Sequence, residues 1–188
     1  MSEFGFQAGL AVPSGFPTLY GLFAQTANST PITNTTTETT LLNGGVGTLS
    51  VPPNSFKVGD SFAGQMAGTI SSVNNEDITL RIETNTTTQL ATSGLLRLPQ
   101  TTNKSFILNL LFTIRAIGAA GTASIQTSGY FTYTKDASNA FEGTDLIDIN
   151  NTTFDTTITN TLDITAQWAS ANVLNSIYSQ TFVLNKIY

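Results

Sequence analysis

The stretch VGTLSVPPNSFKVGDSFAGQMAGTISSVNNEDITLRI, residues 46–82, decides the fold class. Its apolar residues alternate with small or polar ones before residue 52, from residue 62 to residue 70, and again after residue 77. The turn-forming pairs Pro53-Asn54, Gly59-Asp60 and Asn74-Asn75 separate these segments. Since a period of two is typical of a strand with one buried face, the stretch predicts successive strands joined by tight turns.

The rest of the chain repeats this pattern. The longest candidate strand covers residues 104–117, with Phe106, Phe112 and Ile114 on one face and Ile107 and Leu111 on the other. A helix is the competing interpretation of so long an apolar run, but the period of two and the many Phe, Ile and Thr residues favour a strand. Further strands are predicted at residues 18–26, 39–42, 46–51, 122–134, 152–159, 162–169 and 173–187.

The alternation also predicts which side chains face the core. These inward positions are Phe62, Met66, Ile70, Ile78, Leu80, Ile82, Ala123, Ile125, Phe131, Tyr133, Leu162, Ile164, Ala166 and Trp168. Gly64 and Gly68 lie among them, which indicates either close approach of the opposite sheet or a bulge. Residues 173–187 are apolar on both faces, and we therefore expect a last strand that is covered on both sides.

The connections complete the fold prediction. Asn43-Gly44-Gly45 predicts a tight turn between two strands, and residues 136–149 are expected to form a polar, acidic connection. Nine to eleven strands result, and no segment has a convincing helical period. The sequence thus predicts an all-β, two-sheet antiparallel sandwich, with a jelly roll as the first choice. An immunoglobulin-like sandwich is the alternative, although the chain is long for that fold and lacks its Cys-Trp-Cys pattern.

Composition excludes several classes of function. The 188 residues include no Cys and no His, so thiolate or zinc sites and Ser-His or Cys-His nucleophiles are not expected. Only 10% of the residues are charged, the net charge is −5, and the seven Lys and Arg are scattered. We therefore expect neither nucleic-acid binding nor a polybasic membrane site. The apolar run from residue 106 is interrupted by Asn109 and Arg115 and is too short to span a membrane.

Acidic residues are the only candidates for catalysis. Asp145, Asp148, Asp155 and Asp163 are close in sequence, and two carboxylates could form a glycosidase pair or contribute to a calcium loop. No residue pattern supports either site, and solvated turn positions explain these acids more simply. We therefore expect no catalytic, cofactor or metal residues.

The first 17 residues differ from the rest. Residues 1–17 combine Gly and Pro with the apolar side chains Phe4, Phe6, Leu10 and Phe16, which predicts an arm without regular structure. The arm either packs on its own domain or docks on a neighbouring subunit, and anchoring through these four side chains is our hypothesis. Residues 18–188 are expected to form a single sandwich domain.

A family resemblance adds to this interpretation. Residues 47–52 (GTLSVP), Asn54, residues 57–60 (KVGD), residues 68–71 (GTIS), residues 80–82 (LRI), residues 112–118 (FTIRAIG) and residues 162–168 (LDITAQW) follow one another in order. This order resembles the jelly-roll structural modules of tailed bacteriophages and large DNA viruses, over about residues 36–185. The resemblance implies a non-enzymatic virion component such as a capsid, vertex, decoration or fibre-head protein, with no catalytic residues to carry over. The Gly/Phe-rich arm departs from that module.

Two functional hypotheses therefore stand. In the first, the chain is located in the virion, associates with itself, as a trimer ahead of a pentamer, and docks to other virion proteins. The scarcity of charge supports self-association, because surfaces poor in Lys and Glu lose little entropy and little hydration when they are buried. In the second, the chain is a carbohydrate-binding or adhesin-type domain, which the inward position expected for Trp168 argues against.

Overall fold

Two antiparallel sheets pack face to face in the computed structural model, which describes residues 20–136 and 138–188. The described residues contain fourteen strands and no helix, and hence no helix that could cross a membrane. The strands are β1 (Tyr20–Gln25), β2 (Ile32–Thr33), β3 (Thr39–Thr40), β4 (Gly45–Gly47), β5 (Ser50–Val51), β6 (Ser61–Ser72), β7 (Glu76–Thr84), β8 (Thr88–Thr92), β9 (Leu96–Leu98), β10 (Thr101–Ala116), β11 (Ser124–Thr134), β12 (Phe141–Asn150), β13 (Asn160–Trp168) and β14 (Ser176–Lys186).

The strand order confirms the all-β, two-sheet sandwich. The eight-stranded sheet runs β12-β11-β10-β6-β14-β1-β4 with β2 beside β14, and the six-stranded sheet runs β3-β13-β7-β8 with β5 beside β13 and β9 beside β7. If β3 and β5 are counted as one strand, eight strands form nested pairs. The first strand (β1) pairs with the last (β14), and the second (β3 and β5) pairs with the seventh (β13). The third (β6) pairs with the sixth (β10), and the fourth (β7) pairs with the fifth (β8). That nested pairing is the jelly-roll arrangement of eight strands. The β11–β12 hairpin is an addition that widens one sheet.

The core lies between the sheets, as the alternation predicts. Of the inward positions expected from sequence, all are buried except Leu162, which is half-buried at the edge of the core. Phe106 and Phe131 stack in a tilted arrangement with ring centroids 5.4 Å apart, and Phe56 packs against Phe62 and Phe154 at 6.0 and 5.9 Å. Burial of this single apolar cluster is the main source of stability for a chain without disulfides.

Left-handed backbone conformations form the predicted turns. Asn54, Gly59 and Asn75 have φ angles of 59°, 93° and 61°, one in each of the three turns of residues 46–82. Asparagine is the residue that enters this region most readily after glycine, because its short side chain can bond to nearby backbone. The abundance of Asn in this chain therefore has a structural role in turns.

The Asn43-Gly44-Gly45 segment does not join a hairpin, contrary to the sequence prediction. β3 pairs with β13 in the six-stranded sheet, whereas β4 pairs with β1 in the eight-stranded sheet, so the chain crosses from one sheet to the other here. Residues 46–51 are correspondingly split between β4 and β5. Gly45 and Gly47 permit the crossing, because a Cβ on either would collide with the Ala24 or Leu22 carbonyl.

Two connections were assigned wrongly from sequence. The predicted acidic connection at residues 136–149 contains β12, an edge strand paired along its length with β11. Only Leu146 and Asn150 of this strand are buried, so its alternation is weak. The predicted strand at residues 152–159 is instead a loop. Asn150 Oδ1 accepts hydrogen bonds from the amides of Thr152, Thr153 and Phe154, which curls the chain out of an extended conformation.

β14 is covered on one face only, which corrects a further prediction. A bulge between Ser179 and Thr181 shifts the alternation, so that apolar residues before and after it appear on different faces in the sequence. The bulge lies opposite Gly68, and a Cβ at Gly68 would fall 2.6 Å from the Phe106 ring. The glycines of β6 thus accommodate a bulge and the aromatic rings of neighbouring strands, and the opposite sheet is not what approaches them.

The predicted N-terminal arm, residues 1–17, lies outside the described residues. Residues 1–19 are not among the described residues, and the anchoring hypothesis for Phe4, Phe6, Leu10 and Phe16 therefore stays a prediction.

Candidate interaction face

The outer face of the eight-stranded sheet is the most unusual surface of the described residues. Antiparallel register places Ile147, Ser128, Leu111, Ala63 and Asn185 side by side across β12, β11, β10, β6 and β14. Rows on either side continue this surface. We call it the uncharged face, and its outward residues are Ser61, Ala63, Gln65, Ala67, Thr69, Ser105, Ile107, Asn109, Leu111, Thr113, Gln126, Ser128, Tyr130, Thr132, Ile147, Ile149, Val183 and Asn185.

Large apolar side chains are exposed on this face. Ile107 and Leu111 are 43% and 44% exposed on β10, and Ile147 is 64% exposed on β12. Among the outward residues of these five strands, the charged ones are Arg115, where the pairing of β10 ends, and Asp145 on the edge strand. An apolar surface with few charged neighbours is cheap to remove from water.

Polar groups within the face are bonded to one another. Gln65 Nε2 donates to Asn109 Oδ1 at 2.9 Å across β6 and β10, and the hydroxyls of Ser61 and Thr113 lie 3.1 Å apart. Groups that already have a partner in the plane of the sheet lose less when water is displaced above them. These four residues are therefore compatible with burial against another surface.

The uncharged face is large enough for a specific contact. Five strands at about 4.8 Å spacing span roughly 19 Å, and nine residues of β6 extend about 26 Å, which gives a projected area of roughly 500 Å². Only part of this area is apolar, at the exposed side chains of Ile107, Leu111, Ile147 and Ile149, and exposed apolar patches commonly mark interaction sites. A standard interface buries about 800 Å² per partner, so the loops around the face would have to contribute the rest.

The outer face of the six-stranded sheet carries charges instead. Arg81 Nη1 on β7 donates to Glu38 Oε2 at 2.9 Å and to Gln167 Oε1 at 3.0 Å, and Glu38 also accepts from the hydroxyl of Thr165. Glu83 is 8% exposed two residues further along β7. We call the set of Glu38, Arg81, Glu83, Asp163 and Thr165 the charged cluster.

Glu83 is the perturbed group of this cluster. Burial raises the pKa of Glu83 above its ordinary range, the carboxylates of Glu38 and Asp163 raise it further, and Arg81 offsets part of the effect. One cation thus faces three carboxylates. Thr79 and Glu83 are buried although both lie on the outer side of β7.

The four acids considered for catalysis do not meet. Asp145 pairs with Tyr130 on the outer side of β12, whereas Asp148 pairs with the buried Thr127 and points to the opposite side. Asp155 accepts hydrogen bonds from Thr157 in the loop before β13, which lower the pKa of its carboxyl, and Asp163 lies in the charged cluster. In the part of the chain that the structure describes, no three acidic side chains converge as a metal site.

Aromatic residues give a mixed answer on sugar binding. Trp168 is buried as predicted, and its indole N–H donates to the Ile32 carbonyl at 3.0 Å. The β11–β12 hairpin, however, exposes Tyr130 and Phe141 on the outer side, with Asp145 directly opposite Tyr130 and Gly143 between Asp145 and Phe141 along β12. Sequence reasoning missed this group because it did not recognise β12.

The sequence predicted only part of the uncharged face. The alternation placed Ile107 and Leu111 on the second face of the longest strand, but it could not show that β12 adds Ile147 and Ile149 beside them.

No known protein-family profile matches the chain, and no curated protein sequence is significantly similar to it.

Proposed function

We propose that the protein is a non-enzymatic viral structural protein that acts by self-association and by docking to other virion proteins. The motif order of residues 36–185 supports the viral assignment by resemblance. We assign the self-association to the uncharged face, because its exposed side chains Ile107, Leu111, Ile147 and Ile149 are otherwise a liability for solubility.

A second copy of the chain is the first partner to consider. Copies with a net charge of −5 repel one another, and this repulsion is weakest where no acidic residues oppose each other. Asp145 borders the uncharged face on the edge strand and is the one carboxylate among the outward residues that the structure describes on its five strands. We propose a closed homo-oligomer, with a trimer ahead of a pentamer.

Mass photometry of the full chain tests the self-association. The expected result is a species at a whole multiple of the 20.0 kDa chain at micromolar concentration. A second measurement tests the viral assignment: the copy number of this chain in purified particles relative to the major shell protein. A 20.0 kDa monomer that is also absent from particles contradicts the proposal.

The exposed hairpin supports one alternative, a carbohydrate-binding domain. Tyr130 and Phe141 offer aromatic rings, and Asp145, directly opposite Tyr130, offers a hydrogen-bond acceptor beside them. Sugars bind to such combinations of aromatic stacking and charge-assisted hydrogen bonds. A glycan array separates the two proposals, since a hit lost in Tyr130→Ala but kept in Tyr178→Ala would favour the alternative.

A further inference from the structure

A cavity of about 80 Å³ lies between the two sheets. Phe62 and Phe112 line it from the eight-stranded sheet, and Thr84 and Leu90 line it from the six-stranded sheet. The lining also includes four half-buried apolar side chains, past which solvent reaches the cavity. These mouth residues, as we call them, are Leu22, Leu49, Val51 and Leu162.

The volume and the walls of the cavity suit a small organic molecule better than water. A water molecule needs about 10–15 Å³ of such a volume and two to four polar partners. This cavity is several times larger, and most of its lining residues are apolar. An apolar cavity of about 150 Å³ holds benzene, so this one suits a smaller molecule or the end of a longer chain.

Thr84 gives the cavity a polar group that can recognise a ligand. Its side chain points inward from β7, on the same side as Leu80 and Ile82, and the residue is 6% exposed. No described residue forms a hydrogen bond with the Thr84 hydroxyl. A buried hydroxyl that has lost its water without gaining a partner costs free energy, which a hydrogen bond from a bound molecule would recover.

The other polar side chains of the lining already have partners. Thr48 Oγ1 accepts from the Ser50 amide at 3.0 Å, the Ser50 hydroxyl lies 2.7 Å from that of Thr161, and the side-chain amide of Asn160 donates to two backbone carbonyls. None of the described lining residues is charged. A carboxylate or an ammonium group would therefore be buried without a counter-charge, which restricts the ligand to neutral molecules.

We propose that this cavity binds a small, neutral aliphatic alcohol. The ligand hydroxyl pairs with the hydroxyl of Thr84, and the alkyl chain lies against Phe62 and Phe112. An alcohol matches Thr84 because each hydroxyl can donate to or accept from the other. This binding site is separate from the uncharged face and does not depend on the viral assignment.

A methyl NMR titration of the full chain with 1-butanol tests the site. The methyl signals of Leu22, Leu49, Val51 and Leu162 should shift and should saturate in the millimolar range. Val51→Phe, which narrows the mouth, should weaken this binding. Shifts that do not saturate or that spread over the whole chain would show a solvent effect only and would overturn the proposal, as would unchanged binding to Val51→Phe.

Thr84→Val tests the hydrogen bond, because valine has the shape of threonine without its hydroxyl. It should weaken 1-butanol binding about three- to tenfold. Binding of n-pentane, which has as many heavy atoms but no hydroxyl, should change less than about twofold. An unchanged affinity for 1-butanol, or an equal loss for both ligands, would overturn the role of Thr84.

Thr127→Val is the matched control. The Thr127 hydroxyl is also buried with no hydrogen bond to a described residue, but Thr127 does not line the cavity. Without ligand, both valine variants should raise Tm by about 1–4 °C, since each removes an unpaired buried hydroxyl. Only Thr84→Val should weaken 1-butanol binding. A lower Tm for Thr84→Val would show that its hydroxyl already has a partner, and weaker binding to Thr127→Val would show that the effect is not local; either result contradicts the proposal.

Discussion

The outer faces of the two sheets differ in a way that their strand composition does not explain. Both consist of alternating strands with Thr-rich outer positions, yet one carries the charged cluster around Arg81 and the other exposes Leu111 among neutral residues. The charged cluster satisfies itself internally through Glu38, Gln167 and Thr165. The uncharged face has apolar side chains for which no described residue provides cover. The comparison teaches that the contacts which already cover a surface indicate its role better than its hydrophobicity alone does.

The largest effect is expected from a charge placed in the uncharged face. Leu111→Lys should weaken self-association at least about 100-fold, because the ammonium group would be buried without a partner. Mass photometry would then show the 20.0 kDa chain at concentrations where the wild type is oligomeric. Thr161→Lys, exposed on β13 of the other sheet, is the matched control and should leave the oligomer intact. An oligomer that survives Leu111→Lys with unchanged affinity excludes this face as the interface.

Removing the cation of the charged cluster should have the next largest effect. Arg81→Met leaves Glu38 without its ion pair, and Glu83 loses the charge that offsets its neighbours. We expect a loss of about 1–2 kcal/mol in the free energy of unfolding, less than for a fully buried pair because both partners are partly solvated. Chemical denaturation measures it. Arg97→Met breaks the exposed pair with Asp77 and should cost clearly less than Arg81→Met, and equal costs would show that the cluster has no special role.

Glu83 predicts a stability change that depends on pH. Its pKa is raised in the folded protein, so the folded state binds more protons than the unfolded state between about pH 4.5 and the folded pKa. Stability from this group is therefore complete below pH 4.5 and is lost as pH rises through the folded pKa. Glu83→Gln should be more stable than the wild type at pH 7, by up to about 1 kcal/mol, and the gain should disappear near pH 4.

Glu142 is a control for which we expect the opposite dependence of stability on pH. The hydrogen bond from the Tyr133 hydroxyl, and then that from Lys135, lowers the pKa of Glu142, so its stabilisation is present at neutral pH and is lost as pH falls. Glu142→Gln should therefore destabilise at pH 7 and have less effect in acid. Urea unfolding at pH 4 and pH 7 measures both variants, and the same sign for both would contradict the electrostatic explanation.

A change in salt concentration should have the smallest effect on the dissociation constant of the oligomer. An interface formed by the uncharged face contains few charges to screen, whereas the repulsion between copies of net charge −5 is screened. Raising NaCl from 50 to 500 mM should leave the dissociation constant unchanged or lower it by less than about threefold. Dissociation of the oligomer at high salt would instead point to a contact made by the charged cluster.

The alternation of apolar and polar residues was sufficient to predict the strands that have one buried face and no bulge. The inward residues of β6, β7 and β10 follow from the sequence, as do the turns at Asn54, Gly59 and Asn75. The same alternation was insufficient to predict a strand whose extended conformation depends on hydrogen bonds to a neighbouring strand. β12 has only Leu146 and Asn150 buried, and its strand character comes from the ladder with β11.

The same limit applied to the candidate site. Ile107 and Leu111 could be placed on a common face, but the charges that would accompany them depend on which strands lie beside β10. Glu38 is distant in sequence from Arg81, and nothing local indicates that the two meet. The bulge of β14 likewise depends on its neighbour, since Gly68 lies directly opposite it.

By itself the sequence determined a two-layer β-sandwich of Asn-rich turns, with no thiol or imidazole chemistry and little charge. These properties are local: a period of two, turn residues that accept positive φ, and composition. The tertiary structure alone decided that the chain crosses between sheets at Gly45 and Gly47, that β12 widens the uncharged face, and that a cavity opens beside Leu22. Each of these depends on contacts between segments far apart in the chain, which no local pattern encodes.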